Sequence, residues 1–384
     1  MNIMLVSEVV ATVFYCVVLY SHLAEARQII ISPEYTEVNC TEEAVECFPL
    51  SKLYTDSPDS LELSSNTTIM FLSGVHLMRS NILIRDREGL TLLFEMDSEI
   101  HCDERARLAF VNITNLHIIG LTLTNCGAEI SETLAEEALF IQTETVLTIE
   151  KGLKAAIFAV NIRDFHMDHA NINGSHGYGL LGINIVGDSF VNDTLINSSN
   201  TNSLTDHCTT PGLEISEAAE CLGGNALFVY NDFPGCPAAI DYHTLTVINS
   251  SFSHGLDPIG GFQDYISRGC GLGVIVSQKY YDIHVKLVNS TFKSNIARSF
   301  GSNLYIRLII TETNSSVSIH NCQILLGRCN YSDADYTPYS SLVFLHGLYA
   351  TSLGNYKTCP QTDLYLSGVV SSCDGEKPLS LIHI

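Results

Sequence analysis

One local phrase recurs along this chain: a short run of β-branched and aromatic residues, then Asn-Ser, Asn-Cys or a variant, then a second short run. It is seen at Phe110–Gly127 (FVNITNLHIIGLTLTNCG), Phe158–His176, Ile185–Asn200, His243–His254 (HTLTVINSSFSH), Ile283–Asn295 and Val317–Leu326. Aligning Leu123 with Ile172 and Ile196 gives separations of 49 and 24 residues, which read as two steps and one step of a single repeat. Phe252 and Phe292 lie 40 residues apart, one long step with a loop or two short ones. Gly, Asn and Asp punctuate the runs, as expected of short strands joined by tight turns.

A unit this short cannot bury its own apolar face, so its neighbours must complete the core. Several strands in each step of about 20–25 residues predict an all-β chain folded as a parallel β-helix solenoid. One set of alternating side chains would fill a narrow core and the other would face out. Asparagines at inward bends would ladder from coil to coil, with Asn249 (NSSF) and Asn289 (NSTF) as candidates. In that orientation the two could not carry glycan. A β-sandwich array is the rival, but no Pro- or Ser-rich linker divides the chain. A propeller needs steps of about 40–50 residues, against the 24-residue step.

The chain divides into three parts. Met1–Ala26 has an apolar core from about Val9 to Tyr20 and small residues at Ala24 and Ala26, the form of a cleaved signal peptide. An uncleaved anchor or a buried first helix are the alternatives. Residues 27–65, with Cys40 and Cys47, form an N-terminal cap region, and the β-helix domain runs from 66 to 384. Three stretches interrupt its rhythm: Glu129–Glu137, Thr201–Gly224 and Asp257–Cys270. The run Ser341–Ala350 is too short to span a bilayer, which takes about 20 apolar residues. A membrane anchor is expected only if the chain is a fragment continuing beyond Ile384.

Behind the signal segment lie twelve cysteines: Cys40, Cys47, Cys102, Cys126, Cys208, Cys221, Cys236, Cys270, Cys322, Cys329, Cys359 and Cys373. An even number in an exported chain predicts disulfides, with connectivity left open by spacing. Cys40/Cys47 and Cys322/Cys329 are the near neighbours. No Cys-x-x-Cys occurs, so zinc is disfavoured. Ten Asn-x-Ser/Thr sequons are present, at Asn39, Asn66, Asn112, Asn173, Asn192, Asn197, Asn249, Asn289, Asn314 and Asn330. Glycosylation is expected at Asn66, Asn112, Asn173, Asn192, Asn197, Asn314 and Asn330, each of which must then lie on the surface. Cys40 overlaps the Asn39 sequon, and Asn249 and Asn289 carry the ladder conflict. The formal charge of −23 disfavours nucleic acid, anionic lipid surfaces and polyanionic substrates unless calcium bridges them. Tryptophan is absent, so sugar-stacking platforms would rest on Tyr.

The phrase Asn66–Met78 (NTTIMFLSGVHLM), then Ile100-His101-Cys102, then Phe110–Gly127 resembles extracellular right-handed parallel β-helix proteins of pectin-lyase-like topology, of the kind found in sponges, corals and other simple animals. The resemblance covers most of residues 40–375. It implies the fold and an extracellular setting, and little about activity.

Pectin-acting enzymes on that fold use either clustered Asp residues that hold calcium, with an Arg base, or an Asn-x-Asp, Asp-Asp and Gly-His-Gly set. Neither Asp-Asp nor Gly-His-Gly occurs here. The one acidic pair beside a histidine cluster is Asp164 with Asp168, near His166, His169 and His176. If Phe165–Ile172 is a strand, Asp164, His166 and Asp168 share a face and make the candidate catalytic or metal set. A solvated strand face is the plainer reading. Ser175-His176 and Ser253-His254 are adjacent in sequence, so each pair would point opposite ways. Calcium at Asp241, or at Asp257 with Asp264, is chemically open but lacks a loop signature. The sequence therefore predicts a secreted or cell-surface glycoprotein with a non-catalytic solenoid for structural, adhesion or recognition roles. Its ligand would be an extracellular protein or a glycan. The alternative is a carbohydrate-active enzyme, lyase or glycosidase, or its inactive descendant. No cofactor is called for.

Overall fold

The computed structural model describes residues 27–33, 46–55, 60–102, 106–129, 154–175, 177–197, 224–230, 242–257, 271–276, 282–297, 303–310, 316–329, 343–349, 363–367 and 370–373. These form nearly continuous parallel β structure, in one sheet of 17 strands and one of 11. The arrangement is compatible with a β-helix solenoid. Successive repeats add one strand to each of three stacks.

The first stack holds the opening halves of Ile82–Phe94, Leu108–Ile119 and Lys154–Asp168, then Tyr178–Ile183, Ala226–Tyr230, Leu272–Val276, Leu304–Ile310 and Val343–Tyr349. The second takes the closing halves of the same long strands, then Asp188–Asn192, Tyr242–Ile248, Asp282–Val288, Ser316–His320 and Asp363–Ser367. The third is built from short strands, among them Ser98–Cys102, Thr122–Thr124, Asn171–Asn173, Leu195–Asn197, Ser251–Ser253 and Thr291–Lys293. Arg27–Ser32 pairs with Thr67–Phe71, so the region before residue 66 continues the second stack.

The inner side of the third stack is one column: Ile100, Leu123, Ile172, Ile196, Phe252, Phe292 and Ile324, each in register with the next and buried. Every such side chain contributes about 1.5–3 kcal/mol on burial. The rings of Phe252 and Phe292 stack at 5.3 Å and 7°. Leu123 and Ile172 are direct partners, so their 49-residue separation is one repeat with an excursion. The reading as two steps is corrected. The excursion leaves after Ala128–Glu129 and returns antiparallel at Lys154 and Ala155. The 40 residues from Phe252 to Phe292 are likewise one repeat.

From Leu108 onward the described side chains of the first stack are buried on both faces. Its inner side chains, such as Ile157, Ala159 and Phe228, join the main core. Its outer ones, including Phe158, Val160, Leu181, Ile183, Val229 and Tyr305, form a second apolar cluster. This explains the near-continuous apolar runs KAAIFAV, YGLLGI and ALFVY, because a parallel sheet covered on both sides loses the alternation of a half-exposed one. The second stack keeps the alternation, with Phe165 and Met167 in and His166 and Asp168 out.

Corners between stacks turn on left-handed residues, which Asn, Asp and Gly adopt most readily. The first-to-second corner uses two of them, separated by two residues: Asp86 and Gly89, Asn112 and Asn115, Asn161 and Asp164, Asn184 and Gly187. Along its leading column Asn112 Nδ2 donates to Asp86 Oδ1 (3.0 Å), Asn161 to Asn112 (3.1 Å) and Asn184 to Asn161 (3.3 Å). The second-to-third corner uses Gly120, His169, Asp193, Asn249, Asn289 and Asn321.

Asn249 and Asn289 at that corner are exposed and face outward, which corrects the inward expectation. Nδ2 of Asn289 donates to Asn249 Oδ1 at 3.3 Å, so the ladder exists, on the outside. The inward position belongs to the next residue: Thr194, Ser250, Ser290 and Cys322 are buried there. Ser250 Oγ accepts from Thr194 N (3.1 Å) and Ser290 Oγ accepts from Ser250 N (3.2 Å). A buried asparagine cluster does exist, at the third-to-first corner. Asn295 Nδ2 donates to Phe252 O (3.0 Å) and Asn303 Oδ1 (2.7 Å), while its Oδ1 accepts from Asn225 Nδ2 (2.9 Å) and Gly255 N (2.8 Å).

Cys102 and Cys126 form a disulfide across 24 residues, and Cys47 is also disulfide-bonded. Cys322 is a buried free thiol whose Sγ donates to His320 O at 3.4 Å, so it is not bridged to Cys329. The placement of Cys40, Cys208, Cys221, Cys236, Cys270 and Cys359, and the side chains of Cys329 and Cys373, lie outside the described residues. The signal segment does too. Among the described residues, no helix is long and apolar enough to cross a membrane.

Candidate functional site

The outward face of the second stack carries the candidate set. Asp164, His166 and Asp168 all point out from Lys154–Asp168, as period-two alternation predicts, between the buried Phe165 and Met167. The next repeat sets Phe190 opposite His166 and Asn192 opposite Asp168, with Asp188 at the start of that strand.

Asp164 occupies the second left-handed position of its corner (φ 60°), the position filled by Asn115 and by Gly89 and Gly187 in other repeats. Its Oδ1 accepts the backbone N–H of Asp188 at 3.0 Å and so fixes the start of the next strand. It also occupies the space above Gly187, where a Cβ would sit 2.2 Å from that oxygen. Gly187 is thus required twice, by its φ of 75° and by the Asp164 carboxylate. Arg163 Nε stands 4.0 Å from Asp164 Oδ2, on the surface.

His166 stacks face to face with His117 of the preceding repeat, at 4.6 Å and 8°, and lies 5.0 Å from the Phe190 ring of the following one. Its ring faces are covered by its neighbours, so the imidazoles present edges rather than a flat platform. Burial pushes His166 below the ordinary imidazole value, against the upward pull of Asp164, Asp188 and Asp168. His117 is lowered by burial first and by the nearby His166 second, while Asp164 pulls upward.

Asp168 Oδ1 accepts from Asn192 Nδ2 (2.8 Å) and lies 3.0 Å from His169 Nδ1. His169 Nε2 stands 3.6 Å from Asp193 Oδ2, and Asn192 Nδ2 also donates to that oxygen at 3.2 Å. Asp168, His169 and Asp193 bring one donor atom each within 4.8 Å of one another, a set that a divalent cation can bridge. The Asn192 amide already holds both carboxylates, so the cluster closes on itself through hydrogen bonds. It is surface-exposed, with the His169 side chain 64% accessible.

His169 stands beside the candidate set in the sequence; Asp193, which completes the cluster, was not singled out there. They are one 24-residue step apart and occupy the same corner position, so the alignment of Ile172 with Ile196 already superimposes them. Of the other candidates, His176, Asp241 and Asp264 lie outside the described residues, as does the side chain of Asp257. Ser175 is buried, with Oγ 3.4 Å from Gly177 O. His254 is an exposed corner residue with φ 55°. Among the sequons, Asn66, Asn112 and Asn173 are exposed and Asn192 and Asn197 are half-buried; Asn39, Asn314 and Asn330 lie outside the described residues.

His76, from the Gly74-Val75-His76 phrase, is a core residue. It is fully buried, its Nε2 lies 2.8 Å from Leu72 O, and its ring meets Phe71 edge-on at 5.6 Å. Burial lowers its pKa, partly offset by the Leu72 carbonyl.

Comparison with protein-family models, with curated proteins and with solved structures finds no match.

Proposed function

We propose that this chain is a secreted or cell-surface glycoprotein whose right-handed parallel β-helix, with a disulfide-bearing N-terminal cap, serves a structural, adhesion or recognition role without catalysis. Its kinship, on this reading, is with the extracellular pectin-lyase-like β-helix proteins of simple animals. The observation that carries the non-catalytic reading is the position of the acidic residues. Asp164 and Asp193 stand where other repeats place Asn or Gly, at left-handed corners. Asp164 and Asp168 each commit Oδ1 to the next repeat, through Asp188 N and Asn192 Nδ2. A general acid or nucleophile needs a carboxyl aimed at a substrate bond. These carboxylates are aimed along the stack. A right hand is the rule for strand–crossover–strand connections within one sheet.

The alternative, a carbohydrate-active enzyme, draws on His166 with its three surrounding carboxylates. The deciding experiment incubates the secreted chain with a panel of neutral and acidic polysaccharides and follows new reducing ends and unsaturated products. The expected result is no turnover. Turnover abolished by Asp168→Asn at unchanged melting temperature would establish the enzyme instead.

A further inference from the structure

We infer that Asn249 and Asn289, the two sequons set aside on sequence grounds, are glycan-bearing sites on one exposed edge of the molecule. The inference rests on the secreted-glycoprotein reading above. Three observations support it.

The first is orientation. Both asparagines sit at the second-to-third corner with φ 50° and are exposed. The fold's inward polar position at this corner is filled by the following serines. Ser250 Oγ donates to Ile248 O (2.7 Å) and Ser290 Oγ to Val288 O (2.9 Å), while both accept backbone N–H groups from the preceding repeat. Each sequon therefore splits cleanly: asparagine out, middle residue in, and the hydroxyl residue, Ser251 or Thr291, at the half-exposed start of a third-stack strand.

The second is chemical compatibility. In N-glycosylation the side-chain amide nitrogen bonds to C1 of the first sugar of a lipid-diphosphate-linked oligosaccharide. The C1–O bond breaks, the lipid diphosphate leaves, and the nitrogen gives up one proton. The product keeps one N–H and the whole carbonyl. Asn289 needs one N–H, for Asn249 Oδ1, and Asn249 offers only its carbonyl to that bond. After glycosylation Asn249 keeps its carbonyl and Asn289 keeps one N–H, the two groups the rung uses. Asn192 differs, because its Nδ2 donates to Asp168 and Asp193 at once and would lose one of the two bonds.

The third is register. Asn249 and Asn289 are on adjacent rungs, about 4.8 Å apart across the sheet. Two glycans rooted there would cover this edge and close it to protein partners, leaving the outward face of the second stack open.

The test expresses the full chain in a secretory eukaryotic cell, releases N-glycans with a glycoamidase in heavy-oxygen water, and maps the mass-tagged aspartates by peptide mass spectrometry. Tags at residues 249 and 289 are expected. Ser251→Ala and Thr291→Ala, which leave both asparagines in place, should each remove one glycan's mass with the melting temperature unchanged. Untagged 249 and 289 beside a tagged Asn173 would overturn the inference while leaving the secreted-glycoprotein reading intact. A secreted chain with no tag at any sequon would overturn that reading and the inference together.

Discussion

At the scale of single residues, left-handed corner positions decide which side chains are tolerated. At Gly187 any Cβ meets the Asp164 carboxylate and the backbone stands at φ 75°. Gly187→Ala should therefore cost at least about 1–2 kcal/mol, read as a lowered urea midpoint. The penalty should shrink in an Asp164→Ala background, since the clash is then gone. Protonation adds a second single-residue effect. His76, His117 and His166 all have imidazole values held below the ordinary 6.5 by burial. A base whose folded value lies below its unfolded one binds protons better when unfolded. Its stabilising contribution is complete above 6.5 and is lost as pH falls through the folded value. The urea midpoint should accordingly drop on acidification below that point, and His76→Phe should flatten the drop. A midpoint that rises on acidification would contradict the assignment of these rings as neutral in the fold.

At the scale of elements, the inward columns carry the stability. Phe252→Ala removes one ring of a buried stack and should cost about 3–5 kcal/mol by denaturant melts. Asn295→Ala removes four buried hydrogen bonds, two from its Nδ2 to Phe252 O and Asn303 Oδ1 and two to its Oδ1 from Asn225 Nδ2 and Gly255 N, and should lower stability by several kcal/mol, at about 0.5–1.5 kcal/mol for each bond. The inner column was legible in the sequence: Leu123, Ile172 and Ile196, and separately Phe252 and Phe292, were aligned from spacing alone. The size of the steps was not, because an excursion between Glu129 and Lys154 doubles a 24-residue repeat without altering its register. The direction of the Asn-Ser corners also escaped, since a left-handed residue reverses the in–out alternation on which the reading relied. The paired corner signal, as in Asn112-Ile113-Thr114-Asn115 and Asn161-Ile162-Arg163-Asp164, was present in the text of the chain. It becomes readable only once both ends are known to be left-handed.

At the scale of the whole molecule, parallel stacking joins residues that are one repeat apart, so a cluster such as Asp168, His169 and Asp193 can look like a site and serve as a clasp. The Cys102–Cys126 disulfide links neighbouring repeats in the same manner. Closing a loop of its 24 residues is worth about 3 kcal/mol in the chain-entropy picture, and a Cys102→Ser/Cys126→Ser chain should unfold earlier by that amount. On the proposed reading the outward carboxylates hold repeats together rather than perform chemistry. The most direct measurement is the melting temperature of Asp164→Ala and Asp168→Ala against the parent chain. If the carboxylates are structural, each loss removes a hydrogen bond to the next repeat and lowers stability by about 1–2 kcal/mol. Catalytic carboxylates are commonly kept at a cost to stability. A melting temperature that stays level or rises in both variants would contradict the account and return these residues to an active site.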